Sequence, residues 1–163
     1  MLDLGRTFLQ SVERRPDALA IVDGDLRLTY GEWLPRIAAA AGGLRALGLR
    51  RGDHLLVVMQ NRWQMATLHW ACQFAGVIVT PLNWRAKPDE VEYCVTDAGA
   101  KAVAFDAPSA ATVAGAPACA KLARIAVGDA PAGATPFDAL LDAPARESDC
   151  AAGAEDWSLM LYT

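Results

Sequence analysis

The chain has 163 residues, of which 53% are hydrophobic, and it carries a formal net charge of -4 at pH 7. This length and composition are enough to bury a hydrophobic core, and they predict one domain or a large part of one. The acidic balance, with a pI near 5.1, provides no basic stripe that could neutralise the phosphates of a nucleic acid. We therefore expect a soluble partner or a small substrate and no nucleic acid.

The cysteines and the first residues of the chain predict a reducing, cytoplasmic location. No two of the four cysteines form a C-x-x-C pair, and the four are Cys72, Cys94, Cys119 and Cys150. Free thiols in apolar helical patterns act as small hydrophobic groups. Asp3 and Arg6 interrupt the apolar start, so we expect no signal peptide.

Residues 63–84 carry no formal charge and have about the length of a membrane span. A membrane helix is therefore one interpretation of this stretch. Polar side chains such as Gln64 and Gln73, together with Gly76 and Pro81, favour a buried helix followed by a buried strand. We expect no membrane span.

The first third of the chain contains two helix signals and one hairpin signal. Thr7 begins a capping box for a short helix that Pro16 ends, and the apolar runs 18–22 and 26–30 flank the turn 23–25. Thr29 with Glu32 then forms a second capping box, and helical spacing of apolar residues continues to Gly48, where Leu49 completes a Schellman pattern.

Strand and helix patterns alternate after this helix. The predicted strands are 54–59, 77–80, 102–105 and 125–127, and the predicted helices are 62–75, with Asn61 as its cap, and 88–99, with Pro88 and Gly99 at its ends. This alternation predicts an α/β fold with a largely parallel sheet, flanking helices and an amino-terminal β-hairpin. Residues 1–106 are well patterned, whereas 107–156 are rich in Ala, Pro and Gly and are expected to form surface connections or a short helix, for which 135–141 is the best candidate.

Residues 157–163 form an apolar run that is typical of a buried parallel strand. In an open α/β sheet, ligands bind beyond the carboxyl ends of the strands. We therefore expect that the chain is a truncated piece of a longer protein and lacks its own active site. The alternative is a complete small domain in which this strand is the last element.

Few side chains in the sequence form a recognisable catalytic pattern. His54 and His69 have no companions at ligand spacing, so we expect structural histidines, no catalytic residue and no metal site. The spacing of Trp33, Trp63, Trp70 and Trp157 favours core packing. Arg85 differs because it follows a predicted strand, where its guanidinium is either a phosphate ligand or a solvated or carboxylate-paired loop side chain.

Three segments together resemble the amino-terminal part of the adenylate-forming enzymes, which include acyl-CoA synthetases. The segments are 28–33 (LTYGEW), 75–85 (AGVIVTPLNWR) and 159–163 (LMLYT), and their order and separations match. The chain itself contains no glycine-rich phosphate loop. In the family the last segment continues into such a loop, T-S-G-T-T-G-x-P-K-G, whose first residue matches Thr163.

This resemblance implies the first subdomain of the large domain of an AMP-forming carboxylate-CoA ligase. The implied reaction uses ATP and Mg²⁺ to convert a carboxylic acid into an acyl-adenylate, which the CoA thiol then converts into a thioester. Thr163 is implied to bind ATP, and Arg85 matches an arginine that contacts a phosphate of CoA in some of these ligases. The 163-residue fragment is expected to be inactive alone. The alternatives are a free-standing α/β binding module of the same descent and an oligomerisation domain that forms a homo-oligomer.

Overall fold

A computed structural model of the chain describes residues 4–145, 153 and 155–162. The helices are α1 (Leu4–Arg14), α2 (Tyr30–Ala46), α3 (Trp63–Ala75), α4 (Pro88–Ala98), α5 (Ala110–Ala114) and α6 (Phe137–Leu141). The strands are β1 (Leu19–Asp23), β2 (Leu26–Thr29), β3 (His54–Val58), β4 (Ile78–Leu82), β5 (Ala102–Asp106), β6 (Ala123–Val127) and β7 (Thr135–Pro136). Short 3-10 helices at Ala107–Ser109 and Pro117–Lys121 lie on either side of α5.

Strands β3 to β7 form a parallel sheet in the spatial order β4-β3-β5-β6-β7. Strands β1 and β2 form a separate antiparallel pair. Continuous apolar strands of this kind are stable in parallel sheets because helices cover both faces. The predicted α/β class, the largely parallel sheet and the amino-terminal hairpin are confirmed.

Two hydrophobic cores lie on opposite faces of the sheet. Successive side chains of a strand point to opposite faces, so Leu55 and Val57 join the core formed with α2 and α3. Leu56 and Val58 join the second core, which includes side chains of α4 and α5. All four side chains are at most 1% exposed. Strand β3 is therefore covered on both faces, as expected in a three-layer α/β arrangement.

Local signals at helix α2 are confirmed at both ends. The Thr29 hydroxyl accepts the Glu32 backbone N–H, and the Glu32 carboxylate accepts the Thr29 backbone N–H at 2.8 Å. Gly48 has φ +96° at the other end, where the Leu49 N–H donates to the Leu44 carbonyl at 3.2 Å. This 6→1 bond with a left-handed glycine is the Schellman geometry that the sequence predicts.

The later helices also follow their local signals. Pro88 is the first residue of α4, and Gly99 ends the helix with φ +62°. The short helix predicted within 135–141 is present as α6. The uncharged stretch 63–84 forms α3 and then β4, as predicted. In the described part of the chain, no helix combines the length and apolarity needed to cross a bilayer.

Two predicted helix caps are wrong. Thr7 lies inside α1, which already includes Leu4. Helix α3 begins after Arg62, and its first backbone N–H, that of Trp63, donates to the Asp23 carboxylate at 3.1 Å instead of to Asn61. The first turn of α3 is thus stabilised by the end of β1, a contact between residues 40 positions apart in the sequence.

The prediction of a buried strand at 157–163 is wrong for its described residues. Trp157 is 74% exposed, Leu159 42% and Leu161 63%, and a single parallel bridge joins Leu159 to Val79 of β4. The segment lies along β4, which is the edge strand of the sheet, so only one side of it contacts the protein. Thr163 lies outside the described residues.

The other tryptophans considered for core packing contact the first core. Trp33 is 4% exposed, and its indole N–H donates to the buried Thr67 hydroxyl at 2.8 Å. Trp63 and Trp70 are partly buried against the same core. The core interpretation is therefore confirmed for these three residues and wrong for Trp157.

Candidate functional site

The carboxyl ends of β4, β3 and β5 lie side by side. Strand β4 ends at Leu82, β3 at Val58 and β5 at Asp106. Ligands of open α/β sheets bind beyond this edge. The turns that follow these three strands are therefore the part of the described structure where a site is expected.

The turn after β4 displays two side chains, Trp84 and Arg85. The Ala86 N–H donates to the Asn83 carbonyl at 2.9 Å, which closes a four-residue turn. The Arg85 N–H donates to the Asn83 side-chain Oδ1 at 3.0 Å. Asparagine favours this position because its side chain can bind the backbone two residues further on. A hydrogen-bonded turn thus follows the strand that the sequence places before Arg85.

Arg85 is exposed and lies over its neighbour's ring. Its guanidinium carbon is 4.0 Å from the Trp84 ring centroid, a cation–π distance. In the described part of the chain no carboxylate lies within ion-pair distance of it. The described residues thus give no carboxylate partner for Arg85, and its guanidinium is exposed.

Arg85 lines an open groove of about 640 Å³ between the turn, helix α4 and Tyr162. Lys87 adds a second positive charge, whereas Asp89 and Glu90 at the start of α4 add two negative ones. Glu90 also accepts the Lys87 backbone N–H at 2.7 Å. The formal charges of the groove thus balance, and the arginine fork is its most specific group for an anion.

Tyr162 forms the aromatic wall of the groove. Its hydroxyl donates to Asp97 Oδ2 at 2.7 Å, and its ring meets Tyr93 edge to face at 6.0 Å between centroids. Burial, followed by the hydrogen bond to Asp97, raises the pKa of Tyr162. The phenol therefore stays protonated, and Tyr162 anchors the segment 155–162 to helix α4.

The same segment is fastened to the sheet edge by its backbone. The Val79 N–H donates to the Ser158 carbonyl at 3.2 Å, and the Met160 N–H donates to the Val79 carbonyl at 3.1 Å. The buried Gln73 side chain donates to the Ser158 carbonyl at 3.2 Å. The residue after this segment, Thr163, was predicted to bind ATP, and that prediction is not tested by the described residues.

The histidines and cysteines lie in structural surroundings. His54 Nδ1 is 3.0 Å from the Thr80 hydroxyl, and His69 packs edge to face on Trp70. Burial holds the pKa of both imidazoles below the usual range. Three buried cysteines of the described chain are free, namely Cys72, Cys94 and Cys119. Among the described residues, no three His, Cys, Asp or Glu side chains cluster in a way that could hold a metal ion.

Sequence reasoning missed a buried polar cluster behind the turn. Asp106 is 6% exposed and Ser109 is fully buried. The Ser109 hydroxyl lies 2.9 Å from Asp106 Oδ1 and 3.2 Å from the Trp84 carbonyl. The one available signal was an aspartate that ends an apolar strand, because such a residue must find hydrogen-bond partners when it is buried.

Comparisons with known proteins agree with this architecture. The profile of the family described as "AMP-binding enzyme" matches residues 8–163. A feruloyl-CoA synthase of Amycolatopsis sp is 33% identical over 160 residues, which cover 98% of this chain and 30% of that protein. A long-chain-fatty-acid--CoA ligase of Mycobacterium tuberculosis is 30% identical over 69% of this chain and 23% of its own length.

Solved structures show the same fold. A benzoate CoA ligase from Burkholderia xenovorans superimposes with a TM-score of 0.87 at 26% identity, covering 99% of this chain and 33% of that one. The N-terminal domain of FACL13 from Mycobacterium tuberculosis gives a TM-score of 0.87 at 26% identity, covering all of this chain and 42% of that one.

The chain belongs to the AMP-binding enzyme family, as its match over residues 8–163 shows. Its α/β sheet with flanking helices corresponds to the amino-terminal part of CoA ligases. The chain spans about 30% of the length of the feruloyl-CoA synthases that it matches.

Proposed function

We propose that residues 1–163 are the amino-terminal portion of the AMP-binding domain of an ATP-dependent carboxylate-CoA ligase. In the proposed reaction, a carboxylate attacks the α-phosphate of ATP and releases pyrophosphate. The CoA thiol then attacks the acyl-adenylate to give acyl-CoA and AMP. The observation that carries the proposal is the family match over residues 8–163.

For the CoA step we propose that Arg85 binds a phosphate of the CoA nucleotide. Its planar fork suits a phosphate, and it is exposed, unpaired with any described carboxylate and supported by the Trp84 ring. Asp89 and Glu90 in the same groove weaken the attraction. We therefore expect a modest contribution to CoA affinity that declines with salt.

For the adenylation step we propose that Thr163 begins the loop that holds the ATP phosphates. The residue before it, Tyr162, lines the same groove as Arg85, which would bring the two nucleotide sites close together. In the proposed reaction Mg²⁺ would act on the ATP phosphates, which this ion commonly contacts directly. Its role would be to neutralise phosphate charge during adenylation.

The carboxylate substrate belongs to a class that this chain alone does not define. Its relatives bear names that refer to feruloyl and long-chain fatty acyl groups. A panel of ferulate, benzoate and a long-chain fatty acid, offered to the whole protein with ATP, Mg²⁺ and CoA, tests the proposal. We expect AMP and an acyl-CoA from at least one acid, and neither product when the acid is omitted. If none of these acids yields a CoA thioester, the result contradicts the proposed function.

We further propose that the 163-residue chain by itself forms no acyl-adenylate. It corresponds to about 30% of related synthases, and its sequence contains no glycine-rich phosphate loop. Pyrophosphate release from the purified chain, with ATP and the same panel, measures this directly. Release above the level of a boiled sample would overturn the claim of inactivity while leaving the ligase proposal intact.

A free-standing binding or oligomerisation module is the second candidate function. The observation that favours it is the row of exposed apolar side chains at Trp157, Leu159 and Leu161. Such a module would form a homodimer or a larger assembly through this row. Light scattering on the chain tests the oligomerisation candidate, because a monomer contradicts self-association through this surface. We also propose a cytoplasmic location, which the free, buried cysteines of the described chain suit.

A further inference from the structure

One peptide unit in the turn after β4 is held from both sides. The carbonyl of Trp84 lies 3.2 Å from the Ser109 hydroxyl. The N–H of Arg85, which belongs to the same peptide plane, donates to Asn83 Oδ1 at 3.0 Å. Rotation of this plane would break both bonds. The directions in which Trp84 and Arg85 leave the backbone are thus fixed by Asn83 and Ser109.

Ser109 is itself fixed by a buried carboxylate. Asp106 Oδ1 accepts the Ser109 hydroxyl at 2.9 Å, and Asp106 Oδ2 accepts the backbone N–H of Gln60 at 3.0 Å. A hydroxyl has one proton, so Ser109 shares it between Asp106 and the Trp84 carbonyl. The resulting chain of bonds joins the carboxyl ends of β3 and β5 to the turn after β4.

The side chain of Arg85 depends on this backbone arrangement. In the described structure, the guanidinium has a ring partner in Trp84 but no carboxylate that would orient it. Both the ring and the guanidinium are attached to the clamped peptide unit. If this peptide unit rotated, the Arg85 guanidinium and the Trp84 ring beneath it would therefore move together.

We infer that Asp106 and Ser109 are positioning residues for CoA binding, which act by fixing the peptide unit that carries Arg85. The inference rests on the proposed role of Arg85 in binding a CoA phosphate. Asp106 and Ser109 are buried behind the turn and touch no ligand in this account. Their effect on CoA is transmitted through the Trp84 carbonyl.

A purely structural role is the competing explanation, since any buried hydroxyl must be hydrogen-bonded. Thr67 offers a matched control for it. Thr67 is fully buried, accepts the Trp33 indole N–H at 2.8 Å and donates to the Trp63 carbonyl at 2.8 Å. It belongs to α3 and binds Trp33 of the first core, whereas the groove residue Cys94 belongs to the second core on the other face of the sheet.

The test is a mutant cycle in the whole protein with an acid that it activates. The variants are Arg85→Ala, Ser109→Ala, their double mutant, Asn83→Ala and the control Thr67→Val. The KM for CoA and kcat are measured for each, together with Tm. Asn83→Ala removes the other hydrogen bond to the same peptide unit, so it tests whether that unit must be fixed for CoA binding even if Ser109→Ala fails to fold.

We expect Ser109→Ala and Asn83→Ala each to raise the KM for CoA about 3-fold to 10-fold, the range that corresponds to one net hydrogen bond. kcat should change less than the KM. The double mutant should match Arg85→Ala, because the clamp acts through that side chain. Thr67→Val should lower Tm without raising the KM for CoA.

Two results overturn the inference while the proposed function stands. One is an increased KM for Arg85→Ala with no increase for Ser109→Ala or Asn83→Ala. The other is a Ser109→Ala substitution that raises the KM for CoA by the same factor in wild type and in the Arg85→Ala variant. Wild-type protein that makes no CoA thioester, or an Arg85→Ala variant with an unchanged KM for CoA, overturns the proposed role of Arg85 and the inference with it.

Discussion

Strand β3 and residues 157–162 are both mostly apolar in sequence but differ in burial. Residues 55–58 of β3 are at most 1% exposed, because the strand pairs on both edges and helices cover both faces. The segment lies beside the edge strand β4 and leaves Trp157 and Leu161 more than 60% exposed. The difference shows that burial is decided by what covers each face and not by apolar composition alone.

The groove lies between the turn after β4, helix α4 and Tyr162 of the segment 155–162. Arg85 is presented by a turn that the sheet fixes, whereas Tyr162 belongs to the segment along the edge. Tyr162 is attached through its hydrogen bond to Asp97. One wall of the groove is therefore anchored in the core and the other at the surface, and this asymmetry can be tested by substitution.

The largest expected contrast is between two leucines. Leu56 of β3 is fully buried, so Leu56→Ala should lower the free energy of unfolding by about 2–5 kcal/mol through lost burial and a cavity. Leu161 is 63% exposed, and Leu161→Ala should change stability by no more than about 0.5 kcal/mol. Urea denaturation of the chain measures both. Equal losses would contradict the distinction between the two regions.

A smaller contrast separates two threonines. Thr67→Val removes the buried acceptor of the Trp33 indole N–H, and we expect a loss of about 1–3 kcal/mol. Thr96, which is exposed and donates to the Glu92 carbonyl at 2.9 Å, is the control. Thr96→Val should stay within about 0.5 kcal/mol of wild type. A loss as large as that of Thr67→Val would show that burial does not set the cost.

The smallest contrast concerns the pH dependence of the stability that two aspartates contribute. The Trp63 N–H, followed by Arg62, lowers the pKa of Asp23, whereas Arg51, followed by the Gly153 N–H, lowers that of Asp156. A depressed pKa contributes stability that is present above the unfolded pKa and lost as pH falls through the folded pKa. Acidification from about pH 6 to about pH 3 should therefore weaken both contacts.

The two contacts stabilise different regions, so their asparagine variants should differ. Asp23→Asn should reduce the acid dependence of global unfolding because Asp23 joins β1 to the start of α3. Asp156→Asn should instead speed amide exchange within 155–162 and leave global unfolding unchanged. Asp25→Asn, at an exposed position of the same hairpin, is the control for Asp23. A global effect from Asp156→Asn would show that the segment is part of the core.

Much of the fold follows from local signals in the sequence. The Thr29 capping box, the Gly48 and Gly99 helix ends and Pro88 at the start of α4 all form as predicted. Each signal involves only residues that are close together in the sequence, so every partner in the interaction can be identified without the structure. The alternation of these elements was then enough to predict a parallel α/β sheet.

Two failed predictions, the cap of α3 and the buried strand at 157–163, share a physical cause, which is dependence on distant partners. The start of α3 is bound by Asp23 of the hairpin and not by the adjacent Asn61. The exposure of Trp157 depends on which residues pack against its segment, and the residue type alone does not determine them. Arg85 could be found from its place after a strand, whereas Ser109 binds the Trp84 carbonyl across 25 positions.

The central claim is that the whole protein activates a carboxylate as an acyl-adenylate. The most direct measurement mixes the protein with ATP, Mg²⁺ and an accepted acid without CoA, and then adds CoA to the same sample. The account predicts pyrophosphate and enzyme-bound acyl-adenylate in the first stage, followed by AMP and acyl-CoA in the second. Cleavage of ATP to ADP and phosphate, or thioester formation without an adenylate, would contradict it.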